Sequence, residues 1–143
     1  MLIGYSRIGK VQPQSDAELD RKSLITFGCV VDNIYHEQTA SGGSRPELAL
    51  AINSLRNGDK LVVERLSSLT YDVRSLGDIL LKIEEKSSYL VILDMAGQSM
   101  DSSTKIGLSM FKSLQGAADL FFQEGREKKM ESLSKSRKKM GSL

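Results

Sequence analysis

The 143 residues hold one cysteine and one histidine. Cys29 has no second thiol within the chain, so an internal disulfide is excluded. His36 has no partners at metal-ligand spacing, which leaves redox and metal chemistry unsupported and implies no cofactor. Cys29 is expected to be a small buried strand residue, and His36 a loop residue. Long apolar runs are lacking as well, since none approaches the ~20 residues of a membrane span. The N-terminus shows no basic stretch followed by a hydrophobic core and a small-residue cleavage site. A cytoplasmic, soluble protein without a membrane partner is therefore expected. At 143 residues the chain is one domain's worth, and it should bury about two thirds of its unfolded surface without staples.

An excess of either charge is lacking overall, but the charge is unevenly spread. The net charge is +2. Residues 125–143, GREKKMESLSKSRKKMGSL, carry seven Lys or Arg against two Glu, which is +5 and leaves the preceding residues at −3. The basic end is a separate electrostatic object.

Alternation and β-rich composition predict a first strand over 2–8, LIGYSRI. SDAE at 15–18 has the S-x-x-E form of a capping box with Ser15 as cap, and apolar residues at 17, 19, 24, 25 and 27 carry a helix to Gly28. CVVDNIY, 29–35, reads as a second strand followed by the loop HEQTASGGS. RPELALAINSLRNG opens with proline in a first helical turn and ends on Asn-Gly. DKLVVERL is a third strand, YDVRSLGDILLKIEEKS a third helix, and YLVILDM an apolar strand of the kind buried on both faces. This alternation predicts an α/β fold with a mostly parallel, four- to five-stranded sheet flanked by helices.

From Ser103 to Met140 the chain contains no proline and carries apolar or small residues at helical spacing. A helix of that length would run about 55 Å, so its second half would project from the body. We therefore expect a core over 1–102 and, within the same domain, a long oligomerisation helix with a basic tail over 103–143. Met110, Phe111, Leu114, Ala118, Phe121 and Phe122 are its candidate interface.

Taken singly, no motif is a strong catalytic signature. SGGS at 41–44 lacks phosphate-loop spacing, and no histidine is placed as a base for the many serines. The ordered set of strings is more telling. IGYSRI, then SG closely followed by RPEL, GDKLVVERLSSL, VRSLGDILLKIEE, DSSTKIGLSMF and the terminal helix are collinear over about 130 residues. This arrangement resembles the serine recombinases, the resolvase and DNA-invertase group. The resemblance implies a domain that cuts DNA through attack of a serine hydroxyl on a backbone phosphate, forming a phosphoserine link within a tetramer. Such chemistry needs an oxygen nucleophile and guanidiniums that stabilise the phosphoryl oxygens.

Carried over by position, Arg7 matches the strand arginine and Arg45 the arginine after the Ser-Gly loop. Gly9 stands where the family has its nucleophilic serine. The family pattern L-D-R-L-x-R would place an acid and two arginines at Ser67, Ser68 and Tyr71. A Glu-Arg pair of the family's long helix falls on Glu127 and Lys128, where lysine keeps the charge and loses the planar fork. Ser6 alternates away from Arg7 and is badly aimed as a substitute.

A catalytically degenerate relative is therefore expected, with no intact catalytic residue. It would be a homo-dimer or tetramer that associates with DNA or regulates a related active recombinase. The family's separate helix-turn-helix domain has no room here, so DNA contact would fall to Arg126, Lys128, Lys129, Lys135, Arg137, Lys138 and Lys139, with little base readout. A protein of this kind would be nucleoid-associated. Two alternatives stand beside it: a homo-oligomeric interaction module without DNA binding, and a divergent active recombinase.

Overall fold

The computed structural model describes residues 1–39, 43–70 and 72–120. Five strands form one sheet in the order β2-β1-β3-β4-β5. They are β1 Leu2–Ile8, β2 Ile34–Gln38, β3 Lys60–Val63, β4 Tyr89–Met95 and β5 Gln98–Asp101. The first four pair in parallel, and β5 returns antiparallel beside β4. Helix α1, Gln14–Phe27, links β1 to β2; α2, Pro46–Ser54, links β2 to β3. The short α3, Leu66–Leu69, and α4, Val73–Glu85, precede β4. A last helix, α5, starts at 105 and continues through 120, where the description ends.

The sheet is buried on both faces by alternation along each strand. Ile3, Tyr5, Leu61, Val63, Leu90 and Ile92 face α2, α4 and α5, where Phe111 joins the core. Val62 and Val91 face the other way, with Leu24 of α1 and Cys29. In α4 the spacing of Leu76, Ile79, Leu80 and Ile83 gives one apolar face. Its end is fixed by the Asp72 side chain, which accepts from Arg74 N. Gly77 of α4 lies against Ala118 of α5; a Cβ there would sit 3.2 Å from the alanine methyl. At Gly107 a Cβ would lie 1.7 Å from the Asp101 carbonyl oxygen, so only glycine lets α5 start so close to β5.

Four local expectations change. The second strand begins at Ile34, not at 29, because pairing with β1 starts at Gly4↔Ile34. Residues Val31–Asn33 form a 3-10 turn, and Cys29 is buried beside Gly28 outside any strand. Burial pushes its thiol up to about 11. Ser15 does not cap α1: Pro13 occupies the N-cap with φ −69° and ψ 151°, and the helix starts at Gln14. The third strand ends at Val63, and Leu66 already belongs to α3. Finally, His36 is a strand residue of β2.

Lys60 of β3 holds Asp101 of β5 at 2.7 Å. Burial raises the Asp101 pKa, but hydrogen bonds from Lys60 and Ser103 outweigh it and hold the carboxyl below its ordinary value. A depressed carboxylate contributes stability above its unfolded pKa and loses it as pH falls through the folded one. Lys60→Met is therefore expected to cost about 1 kcal/mol at pH 7. Urea unfolding should show the gap to the parent protein closing as the pH falls below ~4; a gap constant with pH would refute the pairing.

Candidate functional site

The connections place a crevice at the carboxyl ends of β1 and β3. From β1 the chain leaves to α1 on one face of the sheet, and from β2 it returns through α2 on the other. Neighbouring loops diverge at such a switch point, and α/β proteins place ligand sites there. Arg7, Ile8 and Gly9 lie at the end of β1. Beyond β3 stand Arg65, Ser67 and Ser68, the latter two on α3.

Gly9 begins a loop that side-chain amides hold in place. Its N–H donates to Gln12 Oε1, and an added Cβ would meet that oxygen at 3.0 Å. The Gln12 side chain thus lies where a side chain at residue 9 would project. Gln12 Nε2 in turn donates to Asp16 Oδ2 at 3.1 Å. From β2, Gln38 Nε2 donates to the carbonyls of Gly9, Lys10 and Gln12 at 3.2, 3.0 and 3.2 Å. One amide, sharing its two hydrogens, therefore serves three loop carbonyls that no ladder reaches.

Arg7, Arg45, Glu37 and Tyr5 form a buried polar cluster on the α2 side. Arg7 and Glu37 are register partners on β1 and β2, and each is 7% exposed. Arg7 Nη2 donates to the Thr39 carbonyl at 3.0 Å. Glu37 Oε2 accepts from Leu48 N, in the first turn of α2, at 2.9 Å. Arg45, the residue before α2, acts electrostatically on the Tyr5 hydroxyl together with Arg7 and Glu37. Burial, then the Glu37 charge, push the Tyr5 phenol above its ordinary value. The Tyr5 hydroxyl, Glu37 Oε1 and Arg45 Nη1 are buried without a hydrogen bond of good geometry. Two arginines expected from the sequence are thus brought to one place, with a carboxylate as their counter-charge.

On the opposite side of the crevice, a cavity of about 170 Å³ separates α1 from α3, with Arg7 and Ile8 at its base. Asp16 and Asp20 of α1 line one wall; Arg65, Ser67 and Ser68 line the facing one. Ser6 Oγ donates to Asp20 Oδ2 at 3.4 Å and lies 3.2 Å from His36 Nδ1. Contrary to expectation, a histidine does stand beside a serine, because β2 continues to Gln38 and sets His36 next to Ser6 in register. Ser6 is itself buried and turned toward α1, whereas Arg7 reaches toward Thr39. No group of three or more His, Cys, Asp or Glu among the described residues is arranged to hold a metal ion.

The model of the resolvase N-terminal domain matches residues 2–142. The chain belongs to this family. A probable DNA-invertase of Sinorhizobium fredii is 33% identical to the resolvase domain over 121 residues, 83% of this chain and 37% of that protein. The Tn917 resolvase of Enterococcus faecalis is 28% identical, over 84% of this chain and 62% of its own length. The serine recombinase Gin of Escherichia phage Mu is 28% identical over 97% of this chain and 69% of the relative. The chain thus spans less than two thirds of the length of the first two relatives. Its fold is shared with the N-terminal catalytic domain of TP901-1 integrase, at a TM-score of 0.61 and 22% identity, covering 86% of this chain and 96% of that one. A resolvase family site-specific recombinase from Streptococcus pneumoniae gives a TM-score of 0.62 at 16% identity, covering 95% and 97%.

The expected interface residues of the resolvase domain are partly committed to its own core. Phe111 and Ala118 are buried, and Met110 and Leu114 pack half-buried against the same cluster. Phe121, Phe122, Tyr71, Glu127 and the basic positions Arg126, Lys128, Lys129, Lys135, Arg137, Lys138 and Lys139 lie outside the described residues. Glu37, Gln12 and Gln38 escaped the sequence reading. For Glu37 a signal existed: a charged residue in the inward phase of a strand beside an arginine-bearing strand calls for a buried pair.

No helix among the described residues is long and apolar enough to cross a membrane.

Proposed function

We propose that this resolvase domain is catalytically silent and acts as a DNA-associated oligomer, or as a partner that regulates an active recombinase by mixed assembly. The observation that carries the reading is Gly9. It follows the strand that bears Arg7, supplies no side-chain hydroxyl, and has the Gln12 amide folded against its N–H. Phosphoryl transfer through a covalent serine has no nucleophile at that position. Ser67 and Ser68 support the same reading, because neutral hydroxyls stand where the resemblance expects an acid and an arginine. The two arginines that remain, Arg7 and Arg45, lie with Glu37 around the buried Tyr5 hydroxyl.

DNA association in this reading rests on the basic run from Arg126 to Lys139, acting on phosphates. The oligomer, a dimer or tetramer, would form through the helix that begins at 105. Binding should be nearly sequence-blind and steep in salt. With six or seven phosphate contacts, affinity should fall about 10³-fold between roughly 50 and 200 mM salt. Gel retardation with two unrelated duplexes tests this: equal retardation at about 50 mM, lost at about 200 mM, is expected. No retardation at low salt would remove DNA from the proposal and leave a protein-interaction module. A covalent protein–DNA adduct on supercoiled substrate would overturn the silence itself.

A further inference from the structure

Opposite charges face each other across the cavity between α1 and α3 without touching. Arg65 is near enough to Asp20 to favour its charged form. Yet its guanidinium makes no ion pair or hydrogen bond with another described residue. We propose that this cavity binds a small zwitterion of the α-amino acid class, its ammonium on Asp16 and Asp20 and its carboxylate on Arg65, Ser67 and Ser68.

Charge segregation selects this class. A simple anion entering the cavity would meet the two α1 carboxylates, and a simple cation would meet Arg7 and Arg65. A ligand carrying both signs a few bonds apart matches both walls. Asp16 and Asp20 each accept one side-chain hydrogen bond, from Gln12 and Ser6, and the rest of the hydrogen-bonding capacity there is unspent. Ser68 is 7% exposed, yet neither its hydroxyl nor that of Ser67 bonds to another described residue. Asp20 takes one long bond, from Ser6, and burial raises its pKa, so an added ammonium would be gained by a carboxylate short of compensation. Groups of this kind seldom stay unsatisfied in a folded protein.

Size sets the upper limit. The cavity of about 170 Å³ corresponds to the liquid volume of five or six waters, at about 30 Å³ each. That admits an amino acid with a small side chain. Ile8 gives that side chain an apolar contact at the base. The place agrees with the topology, since the cavity opens at the switch point between β1 and β3. This site goes beyond the DNA reading and does not depend on it, since gel retardation and ligand binding are separate signals.

The test is a titration of the full ¹⁵N-labelled chain with L-alanine, followed by backbone amide shifts. Saturable shifts are expected at Asp16, Asp20, Ser67 and Ser68, with half-saturation at about 1 mM, ordinary for so small a polar ligand. Propionate, which keeps the carboxylate and lacks the ammonium, should bind at least tenfold more weakly. Arg65→Gln, at an exposed position that leaves folding intact, should weaken L-alanine about tenfold. Ser68→Leu, which fills the cavity, should abolish binding. Inorganic phosphate saturating the same amides below L-alanine would make this a plain anion site and overturn the proposal. So would the lack of a saturable shift with L-alanine up to about 50 mM, or a half-saturation unchanged in Arg65→Gln.

Discussion

Replacing Glu37 by alanine is expected to cost about 1–3 kcal/mol of stability. The carboxylate is 7% exposed and sits in register beside Arg7. Together with Arg7 and Arg45 it also surrounds the buried Tyr5 hydroxyl. Alanine would strip the buried Leu48 N–H of its acceptor and remove the negative charge that stands in register beside Arg7. For a domain of this size the loss lowers Tm by several degrees. Glu37→Gln keeps an acceptor for Leu48 and loses only the charge, so it should fall between the parent and alanine. Glu85→Ala, on the exposed side of α4, is the control and should stay within about 0.5 kcal/mol. Urea unfolding at pH 7 decides: equal costs for Glu37→Ala and Glu85→Ala would mean that the guanidiniums do not depend on Glu37.

That cluster also marks where sequence reasoning stops. β1, α4 and β4 are legible because their signals are local and dense: alternation in LIGYSRI, an apolar face in VRSLGDILLKIEE, a continuous apolar run in YLVILDM. β2 was misplaced because Cys29, Val30 and Val31 have strand-like side chains, while the ladder starts only where β1 offers partners, at Ile34. Ser15 fails as a cap because Pro13, two residues earlier, already has the extended backbone an N-cap requires. The same division runs through the site. Arg7, Gly9 and Arg45 are visible as motif positions. The Glu37 counter-charge, the Gln38 clamp on the loop at 9–12 and the Ser6–His36 contact each join residues about thirty apart in sequence through the β1–β2 register. Pairings of that range leave no periodic trace in a single chain.

Strand cleavage is expected to return to a large extent only when four positions change together. Gly9→Ser alone restores an oxygen at the end of β1. The new Cβ would meet only the far end of the Gln12 side chain, at 3.0 Å, so a small shift of that flexible amide accommodates it. The single variant still lacks the acid and the two guanidiniums that the family pattern places at 67, 68 and 71. Ser67 and Ser68 line the cavity together with Arg7, so longer side chains grown from α3 have room toward the β1 end. The variant carrying Gly9→Ser, Ser67→Asp, Ser68→Arg and Tyr71→Arg should therefore form a phosphoserine-linked adduct faster than Gly9→Ser by a factor on the order of 10³ or more, the worth of one well-placed guanidinium. Incubation with supercoiled DNA at low salt, followed by detection of detergent-stable protein on DNA, measures it. An adduct formed equally fast by Gly9→Ser would show that the nucleophile alone was limiting, and that Ser67, Ser68 and Tyr71 are compatible with catalysis. The expected order, none for the parent, little for the single variant and clear adduct for the fourfold one, follows because an oxygen cannot attack a phosphate whose developing charge nothing receives.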